Sequence, residues 1–596
     1  MGSTFLPPKA TKKWRQLNQG DEFGELFGTF NIDLHSRPGK IKPSPKTYRL
    51  YDNADDSDFG KVPAIIRTAA DATDRWWAVA GSVLFKSTNS SANSAFAQDA
   101  IGTTPTDLSH LYSDMVEFES ALLVSTSTDI HRLASGTWDQ NWWQTTRSQA
   151  ALTSAIFHPL HVFNRLLLIG DANMVHVVDR NNNVSNSRLT FDPSLYVVNI
   201  RSSANKVWIT TRHIRGGTAL IFEWDGTSET YNSWHSAKSS QCLSLVMKDG
   251  VPYVLNTLGQ LLKYAGSGFA EVGFFPCYKQ QQHDNNGSSA VVVWRDAFTP
   301  SLTVGPNGMT VIEERIHILA SGALSGGYND VLENMYGGIW VFDDDTGLHH
   351  KFALSSYKSG TVIEYGTGAL SYTGALVSTT RETGYFLAGA SLYTDNGTTE
   401  RNCLFIRADD DSKLRIGYFI TSKINASKIE ELWGVIWQKF QKLRATTDVI
   451  VVKKRNNQDY RFPFRATVTW TSTTTLTSTQ SQLANATTGN EIEVFMGIGA
   501  GMSAHISSIT EAGGTYTIVL DEAVSGATST GIVRVNSWIK VGAFSDSSSA
   551  NILTNYFPLG DNNPWLQFKV EMRGLQLSPE IEELEISSTV NTEVIQ

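Results

Sequence analysis

The alternation of apolar and polar positions predicts short β-strands that recur in a fixed order. From about residue 61 to residue 420, an apolar strand, a turn, a second apolar strand and two more polar strands repeat about seven times. The best-defined copies predict strands at residues 115–118, 121–125 and 129–133, at 155–157, 165–169 and 174–178, and at 196–199, 206–210 and 219–224. In the first of these copies, a polar stretch follows that contains Trp142 and Trp143.

Equivalent strands lie about 40 to 50 residues apart, which suits one four-stranded propeller blade. The strands end at turns rich in Gly, Asp and Asn, and no long helical pattern separates them, so a parallel sheet with crossover helices is excluded. Further copies begin near Pro63, Cys242, Met309 and Leu370. The sequence therefore predicts an all-β chain whose residues 51–422 form a β-propeller of about seven blades, with six or eight as the alternatives.

A second β-domain is predicted after the propeller. Residues 428–437 are compatible with a short helix or with a strand pair, and residues 447–453 form a Val-rich strand. Near the end of the chain, residues 565–573 and 581–586 alternate between apolar and polar positions, which is typical of strands with one buried face. We interpret residues 423–465 and 546–596 as the two halves of one β-sandwich.

An inserted module separates the two halves of the predicted sandwich. Residues 466–545 begin with a Thr/Ser-rich stretch and continue with strand-like segments at 489–501, 504–509, 514–521 and 532–538. These segments suffice for a small barrel of about five strands, SH3-like or OB-like. Chains tolerate such insertions at exposed loop tips, where few backbone hydrogen bonds are broken.

The first 50 residues predict an extended N-terminal arm. They are rich in Pro, Lys and Arg and contain little that could form a core. The one apolar cluster, residues 23–32, is suited to packing against a partner or against the chain's own propeller. A solvated tail is the alternative.

Composition narrows the classes of function. Apolar residues make up 41% of the chain, and its 16 Trp residues help to fill a large core. The formal charge of -9 and the lack of a Lys/Arg block disfavour tight binding of duplex DNA. Cys242, Cys277 and Cys403 lie far apart, which argues against a disulfide framework and a zinc site. No apolar segment predicts a secretory signal or a membrane span, so assembly in the cytoplasm is expected.

Three motifs could bind anions or metal ions, and each has a simpler interpretation. The Gly-rich run 497–501 would need a helix after it to bind phosphate, but a strand follows, so we predict a turn. The acidic runs 343–347 and 409–412 lack the alternating ligands of a calcium loop. Both lie between apolar strands, where Asp and Gly favour hairpin turns.

Catalytic motifs are also weak. The 13 His residues include no HxxxH or HExxH pair, and no convincing Gly-x-Ser-x-Gly elbow is present, although residues of a catalytic triad can lie far apart in sequence. The pairs Trp76–Trp77 and Trp142–Trp143 could stack on sugars, but blade cores are the favoured location. We therefore predict no catalytic, cofactor-binding or metal-binding residues, no cofactor and no enzymatic activity.

Two parts of the chain carry a resemblance to a known family. Residues 28–33, Gly-Thr-Phe-Asn-Ile-Asp, followed by Arg-Pro-Gly-Lys at 37–40, resemble the leader of tailed-bacteriophage structural proteins that carry a propeller. The C-terminal part is similar in kind, with a Trp-bearing strand, a Val-rich strand and the final strand Leu-Gln-Phe-Lys-Val at 566–570, followed by Ser-Pro-Glu-Ile at 578–581.

The resemblance implies a structural virion protein. It would be a tail component, such as a hub, nozzle or fibre-bearing adaptor, located in the virion and assembled in the host cytoplasm. The implied partners are copies of itself in a ring, six-fold by analogy, other tail or tail-fibre proteins, and genomic DNA in passing contact. The alternative class is a carbohydrate-binding or glycoside-cleaving propeller, which would require two carboxylates about 5 to 10 Å apart on the loop face.

Overall fold

The structure of the 596-residue chain is a computed structural model. It describes all residues except 1, 7–14, 17–24, 36–39, 46, 54–55, 92–93, 100–106, 276–280, 285–290, 295–301, 322–335, 355–369, 380–385, 394–399, 408–414, 422–423, 426–430, 441–447, 456–461, 497–498, 500, 525–529, 546–553, 562–564, 575–579 and 591–596. In the described part, helix is limited to a π-helical turn at Trp142–Thr146 and a 3₁₀ turn at Ser481–Asn485.

The strands before residue 60 are short. They are β1 (Gly2–Leu6), β2 (Arg15–Gln16), β3 (Glu25–Phe30), β4 (Ile32–Asp33), β5 (Lys42–Pro43) and β6 (Thr47–Asp52).

The strands of the next part follow in consecutive groups. These are β7 (Ala64–Thr68), β8 (Arg75–Ala80), β9 (Val83–Ser87) and β10 (Phe96–Gln98); β11 (Met115–Phe118), β12 (Ala121–Ser125), β13 (Ile130–Ala134) and β14 (Thr137–Asp139); β15 (Leu160–Phe163), β16 (Leu166–Asp171), β17 (Met174–Val178) and β18 (Val184–Thr190); β19 (Leu195–Ser203), β20 (Lys206–His213), β21 (Leu220–Trp224) and β22 (Ser233–Ser236); β23 (Cys242–Lys248), β24 (Val251–Asn256), β25 (Gln260–Tyr264) and β26 (Phe269–Phe274); the hairpin β27 (Gln281–Asp284) and β28 (Val291–Trp294); β29 (Met309–Ile312), β30 (Arg315–Ala320), β31 (Gly338–Asp343) and β32 (Gly347–Phe352); and β33 (Leu370–Ser378), β34 (Phe386–Tyr393) and β35 (Glu400–Arg407).

The C-terminal strands are longer on average. They are β36 (Arg415–Thr421), β37 (Ile424–Asn425), β38 (Glu431–Phe440), β39 (Val449–Arg455), β40 (Phe464–Trp470), β41 (Thr475–Ser478), β42 (Glu491–Met496), β43 (Ser503–Ala512), β44 (Thr515–Leu520), β45 (Thr530–Asn536), β46 (Ile539–Ser545), β47 (Thr554–Asp561), β48 (Trp565–Gly574) and β49 (Ile581–Val590).

The groups of four strands from β7 to β32 form antiparallel four-stranded sheets in chain order, and the hairpin β27–β28 is inserted between two of them. The first strand of each sheet contacts the first strand of the next, and β33 contacts β7. The sheets therefore close into a ring, which is the layout of a β-propeller. The prediction that the chain is all-β and contains a β-propeller is confirmed.

Apolar cores lie between neighbouring sheets. In one of them, Leu255 and Leu261 of one sheet pack with Ile316, Ile318 and Trp340 of the next, and all five side chains are buried. A single sheet has two apolar faces, and stacking removes both from water. This explains why the apolar positions of these strands do not alternate strictly with polar ones.

The last sheet of the ring is completed by the N-terminal part of the chain. Strand β6 pairs antiparallel with β35, with Asp52 opposite Cys403. The predicted boundary between arm and propeller at residue 50 therefore falls inside a propeller strand. The local pattern of β6 does not show its partner, because that partner lies about 350 residues away in sequence.

One predicted propeller strand is a loop. Residues 155–157 lie outside any strand, and β15 begins only at Leu160. Ala155 has a φ of 62°, in the left-handed region, and Pro159 has no backbone N–H to donate to a neighbouring strand. The apolar side chains of this loop are therefore available at one end of the ring instead of inside a blade.

Two further sheets contain the two ends of the chain. One has the order β1-β49-β38-β47, and the other runs β2-β3-β36-β48-β39-β46, with β37 also paired to β48. Strand β36 falls inside the predicted propeller span but pairs with β3 and β48 instead. Residues 428–437, predicted as a helix or a strand pair, belong mostly to the single strand β38.

The inserted segment forms a closed barrel with the strand order β40-β41-β44-β43-β42-β45. Our prediction had one strand fewer, because β41 has only one apolar residue, Leu476, and lies in the Thr/Ser-rich stretch. Strand β46, which we had placed in the inserted module, pairs with β39 outside the barrel. Only tertiary pairing distinguishes β46 from the barrel strands, since its pattern is similar to theirs.

Candidate functional site

Residues 304–308, immediately before β29, cross the interior of the ring. The backbone oxygen of Pro306 accepts hydrogen bonds from Asn199 Nδ2 at 2.6 Å and from Ser244 Oγ at 2.8 Å. Asn199 lies on β19 and Ser244 lies on β23. The segment thus contacts the first strands of two neighbouring sheets.

Asn307 extends these contacts to the other side of the ring. Its Nδ2 donates to Asp114 Oδ1 at 2.8 Å, and its Oδ1 accepts from Arg201 Nη2 at 2.7 Å. Its backbone oxygen accepts from the N–H of Leu376 on β33, at 2.9 Å. Burial raises the pKa of Asp114 above its ordinary value. Because its partners belong to sheets around the whole ring, the segment occupies the axis.

Gly305 is required by this arrangement. A Cβ atom at this position would lie 2.8 Å from the backbone oxygen of Gly374, closer than carbon and oxygen normally approach. The axis of the ring is therefore packed by backbone at the level of residues 304–308.

The strongest concentration of charge lies between the barrel and the larger of the two C-terminal sheets. We call it the ionic cluster and define it as Lys453, Glu491, Glu493, Arg534, Lys569, Glu571 and Arg573. Three of these residues come from barrel strands β42 and β45, and the others come from β39 and β48. Their side chains are between 0% and 8% exposed, so the cluster is shielded from water.

The two lysines bridge the barrel and the sheet. Lys453 Nζ lies 2.5 Å from Glu491 Oε1 and 2.7 Å from Glu571 Oε2. Lys569 Nζ lies 2.9 Å from Glu491 Oε1 and 3.5 Å from Glu493 Oε2. Ser503 Oγ joins the same group and donates to Glu571 Oε2 at 2.5 Å. Each lysine therefore links carboxylates of the barrel to the neighbouring sheet.

The two arginines complete the charge balance. Arg534 Nη2 lies 2.6 Å from Glu493 Oε2, and Arg573 Nε lies 2.5 Å from Glu571 Oε1. Arg573 also reaches Glu522, at 3.3 Å, at the partly exposed edge. The cluster thus contains four cationic side chains and three carboxylates, and the carboxylate of Glu522 at its edge brings the number of carboxylates to four. Buried ions are tolerated only when they are paired and hydrogen-bonded in this way.

The carboxyl groups of the cluster differ in their pKa values. Burial alone raises the pKa of Glu491, but Lys453 and Lys569 outweigh burial and hold that pKa at about 2. The pKa of Glu571 is also lowered, since Arg573 and the lysines overcome its burial. Burial raises the pKa of Glu493, against the attraction of Lys569, to about 7. Glu493 is therefore the first of the three to bind a proton as the pH falls.

Two tyrosines contact the ionic cluster, one beside a propeller sheet and one on the larger C-terminal sheet. Tyr336, which precedes β31, accepts from Arg534 and lies 3.3 Å from Glu493 Oε1. Tyr418 of β36 accepts from Arg534 at 3.1 Å, and its ring centroid lies 3.9 Å from Lys569 Nζ. A propeller sheet, the larger C-terminal sheet and the barrel therefore meet at one charged junction. This arrangement fixes the three parts against one another.

A second polar cluster joins the N-terminal strands to the propeller. The backbone N–H of Asn31 donates to His350 Nδ1 at 3.0 Å, and His350 Nε2 lies 3.1 Å from the oxygen of Gly337. These partners require a neutral ring with its proton on Nε2. Burial lowers the pKa of His350 to about 4, which agrees with the neutral form.

Further histidines surround this contact. Burial lowers the pKa of His317 and of His349 to about 3, with Lys351 contributing to both. The ring centroids of His35 and His349 lie 4.8 Å apart, and Asp33 lies 3.6 Å from the ammonium of Lys351. Within the described part of the chain, no group of three or more His, Cys, Asp or Glu residues could hold a metal ion.

The tryptophan pairs considered for sugar binding are located in cores. Trp76 and Trp77 lie on β8, and Trp142 and Trp143 lie in the π-helical turn. Their exposed fractions are between 0% and 3%. None of the four rings is available for stacking on a sugar.

The two Gly- and Asp-rich motifs that the structure describes are located in turns. Gly499 and Gly501 have φ values of 87° and 88° in the connection from β42 to β43. Asp343 ends β31, accepts from the N–H of Asp345 and pairs with Arg315. The acidic run 409–412 and Cys277 lie outside the described residues. Cys242 and Cys403 are buried, and neither forms a disulfide within the described part of the chain.

The ionic cluster was not predicted from the sequence. In β48 the polar residues Lys569, Glu571 and Arg573 alternate with apolar ones, and we interpreted them as a solvent-facing side. The structure buries both faces of the strand, because the barrel covers the charged one. The alternating signs of charge on this face of β48 could have indicated that it meets other charged residues, because opposite charges on neighbouring strands attract each other.

Comparisons with known proteins give no match in sequence and only low similarity to solved structures. No protein-family model and no curated protein matches the sequence. Among solved structures, the β-propeller domain of Cps50 (Swd1) from Myceliophteria thermophila is 10% identical, with a TM-score of 0.34, and the match covers 58% of this chain and 96% of that one. A chain of the mitotic checkpoint complex is 11% identical, with a TM-score of 0.36 and coverages of 61% and 96%. The designed Ika8 protein is 10% identical, with a TM-score of 0.33 and coverages of 60% and 99%.

None of the helices in the described ranges has the length and apolar character to cross a bilayer.

Proposed function

We propose that this chain is a structural protein of a tailed-bacteriophage virion. It would be a tail component, such as a hub, nozzle or fibre-bearing adaptor, that works through contacts with other proteins. The observation that carries the proposal is the ionic cluster. It joins the barrel, the larger C-terminal sheet and one propeller sheet through paired charges, and separating the parts would leave buried charges without partners, which suits a unit with a fixed shape.

The packed axis supports the same class of function. The blades of a β-propeller surround a central channel, and concave sites of this kind are where small ligands bind. Here residues 304–308 fill the axis with hydrogen bonds to Asn199, Ser244 and Asp114. A rigid assembly part benefits from such filling, since it adds contacts between sheets on opposite sides of the ring.

We further propose an organisation into domains. The four-stranded sheets from β7 to β35, completed by β6, would be seven blades of one propeller. The two C-terminal sheets would form a β-sandwich, with the SH3-like or OB-like barrel inserted between its halves. Residues before β6 would be an arm that adds strands to the sandwich.

The proposed partners follow from the resemblance in the sequence. Copies of the chain would form a closed ring, six-fold by analogy, in contact with other tail or tail-fibre proteins. The mildly acidic charge of -9 would let genomic DNA pass without binding tightly. Assembly would take place in the host cytoplasm, and the location of the finished protein would be the virion.

Native mass spectrometry and electron microscopy of the purified full-length protein test this proposal. We expect closed rings of a defined number of copies and no release of sugar from host glycans. A monomer that hydrolyses glycans, and loses this activity when a single Asp or Glu is replaced, would instead support the carbohydrate-active alternative. Absence of the chain from purified virions of its source would also overturn the proposal.

A further inference from the structure

A cavity of about 250 Å³ opens beside the axis, at the end of the ring where the first strands begin. Its lining includes Tyr112 and Phe157 from two loops that lead into first strands, and Tyr196 at the start of β19. Pro306 of the axial segment lies at its inner end. The cavity is therefore built from several sheets and is bounded inward by the segment that packs the axis.

The walls of the cavity are largely apolar and carry one charge. Ile156, Phe157 and Val198 supply apolar surface, and Arg212 is the single charged residue in the lining. The Arg212 guanidinium carbon lies 5.6 Å from the centroid of the Tyr196 ring. Stacking on an aromatic face holds the guanidinium at the cavity wall.

Among the described residues, no carboxylate forms a salt bridge with Arg212. The Arg212 side chain is half-buried. A partly desolvated guanidinium beside apolar walls is stabilised by a carboxylate, which it binds through two parallel hydrogen bonds. The part of the cavity beside Arg212 is therefore suited to a carboxylate.

Exposed apolar side chains surround the opening. Leu111, in the lining, is 56% exposed, and Ile214, two residues after Arg212, is 46% exposed. The N–H of Ile214 donates to the oxygen of Ser194, which directly precedes β19 and so places Ile214 at the same end of the ring. Such residues outside a small cavity favour a ligand that extends beyond it.

We propose that this cavity is a docking site for a segment of a partner protein that carries a Glu or Asp beside a large apolar residue. The carboxylate pairs with Arg212, and the apolar side chain packs against Phe157, Ile156 and Leu111. A sugar acid fits less well, because the lining offers few hydroxyl or amide side chains, with Gln241 the one amide. The inference concerns recognition of one segment, and it does not depend on the virion assignment.

Peptide binding to the full-length protein tests the proposal. A fluorescein-labelled library of twelve-residue peptides, each with glutamate flanked by leucine or phenylalanine, is screened by fluorescence anisotropy. The best binder is then compared with the same peptide carrying glutamine. We expect the glutamate peptide to bind at least tenfold more tightly than the glutamine peptide. If no library peptide binds, or both forms bind equally, the proposal is wrong.

Variants locate the binding to the cavity. Arg212→Gln is expected to remove the preference for glutamate. Leu111→Ser removes the apolar contact at an exposed position without adding a charge, and it is expected to weaken the binding of both peptides. Arg165→Gln, in the exposed hairpin between β15 and β16, is the matched control and leaves binding unchanged. Equal binding by wild type and Arg212→Gln, or displacement of the peptide by glucuronic or sialic acid at equal affinity, overturns the proposal.

Discussion

The ring and the junction with the barrel are held together by different interactions. Between propeller sheets, contacts such as those of Leu255 with Ile316 and Trp340 belong to an apolar core. At the junction, Lys453 and Lys569 are equally buried but are surrounded by carboxylates. Burial by itself does not reveal which kind of interaction holds an interface.

The difference has a structural consequence. Apolar packing is non-directional, so equivalent sheets can stack around a ring with small changes of angle. Paired charges lose much of their stabilisation when one partner moves or is removed, since a buried charge is then left alone. We infer that the ring tolerates substitutions that conserve volume, whereas the junction requires its specific set of charges.

Acidification to pH 5 is expected to have the largest effect, and it acts on a third place, the buried histidines at the contact between the N-terminal strands and the propeller. His317, His349 and His350 have pKa values of about 3, 3 and 4 in the folded chain, below the ordinary 6.5. The unfolded chain therefore binds protons first, and stability falls as the pH decreases from about 6.5 towards 4. We expect each histidine to cost roughly 2 kcal/mol at pH 5 relative to pH 7.

Urea unfolding at several pH values measures this loss. His349→Phe should lose about 2 kcal/mol less stability than wild type between pH 7 and pH 5. The charges facing these histidines, Asp33, Lys351, Arg315 and the His35 ring, stay in place in that variant. An equal pH dependence in wild type and variant would contradict the assignment.

Glu491→Gln tests the junction alone. The substitution leaves Lys453 and Lys569 buried with one carboxylate fewer, and we expect a loss of about 3 to 5 kcal/mol in the free energy of unfolding. Limited proteolysis should then cut first between the barrel and the sheet. Glu511→Gln, on the exposed part of β43, is the control and should change stability by less than about 0.5 kcal/mol. Unchanged unfolding of Glu491→Gln would mean that the cluster does not hold the barrel.

Leu255→Ala tests the apolar core between two sheets. The side chain is fully buried, so its truncation leaves a cavity and should cost about 2 to 4 kcal/mol. Leu255→Met conserves the volume and should cost less than about 1.5 kcal/mol. Thermal unfolding followed by circular dichroism measures both. A larger loss for Leu255→Met than for Leu255→Ala would contradict the comparison with the junction.

An exposed ion pair provides the smallest expected effect. Arg67 Nε lies 2.9 Å from Asp74 Oδ1, but the Asp74 side chain is 48% exposed. Arg67→Ala should therefore cost about 0 to 1 kcal/mol, and less in concentrated salt. A cost equal to that of Glu491→Gln, measured by the same urea unfolding, would show that burial does not explain the difference between ion pairs.

Much of the β-propeller was predictable from local pattern. Strands β8, β11, β12, β17 and β20 fall where apolar runs end at turn residues, because each strand is defined by a few neighbouring side chains. The location of the tryptophan pairs in cores was also predictable, since aromatic residues with apolar neighbours are usually buried. The loop 155–157 was mispredicted, because an apolar composition does not distinguish a strand from a loop that lines a cavity.

The sequence by itself determined that this chain forms short antiparallel strands in repeated sheets, and that a further module interrupts the C-terminal part. Tertiary structure decided that β6 completes the last propeller sheet, that residues 304–308 pack the axis, and that the charged face of β48 is buried under the barrel. The physical reason is that strand formation depends on local side-chain alternation. Pairing across hundreds of residues, and the neutralisation of one buried charge by another, depend on which surfaces meet in three dimensions.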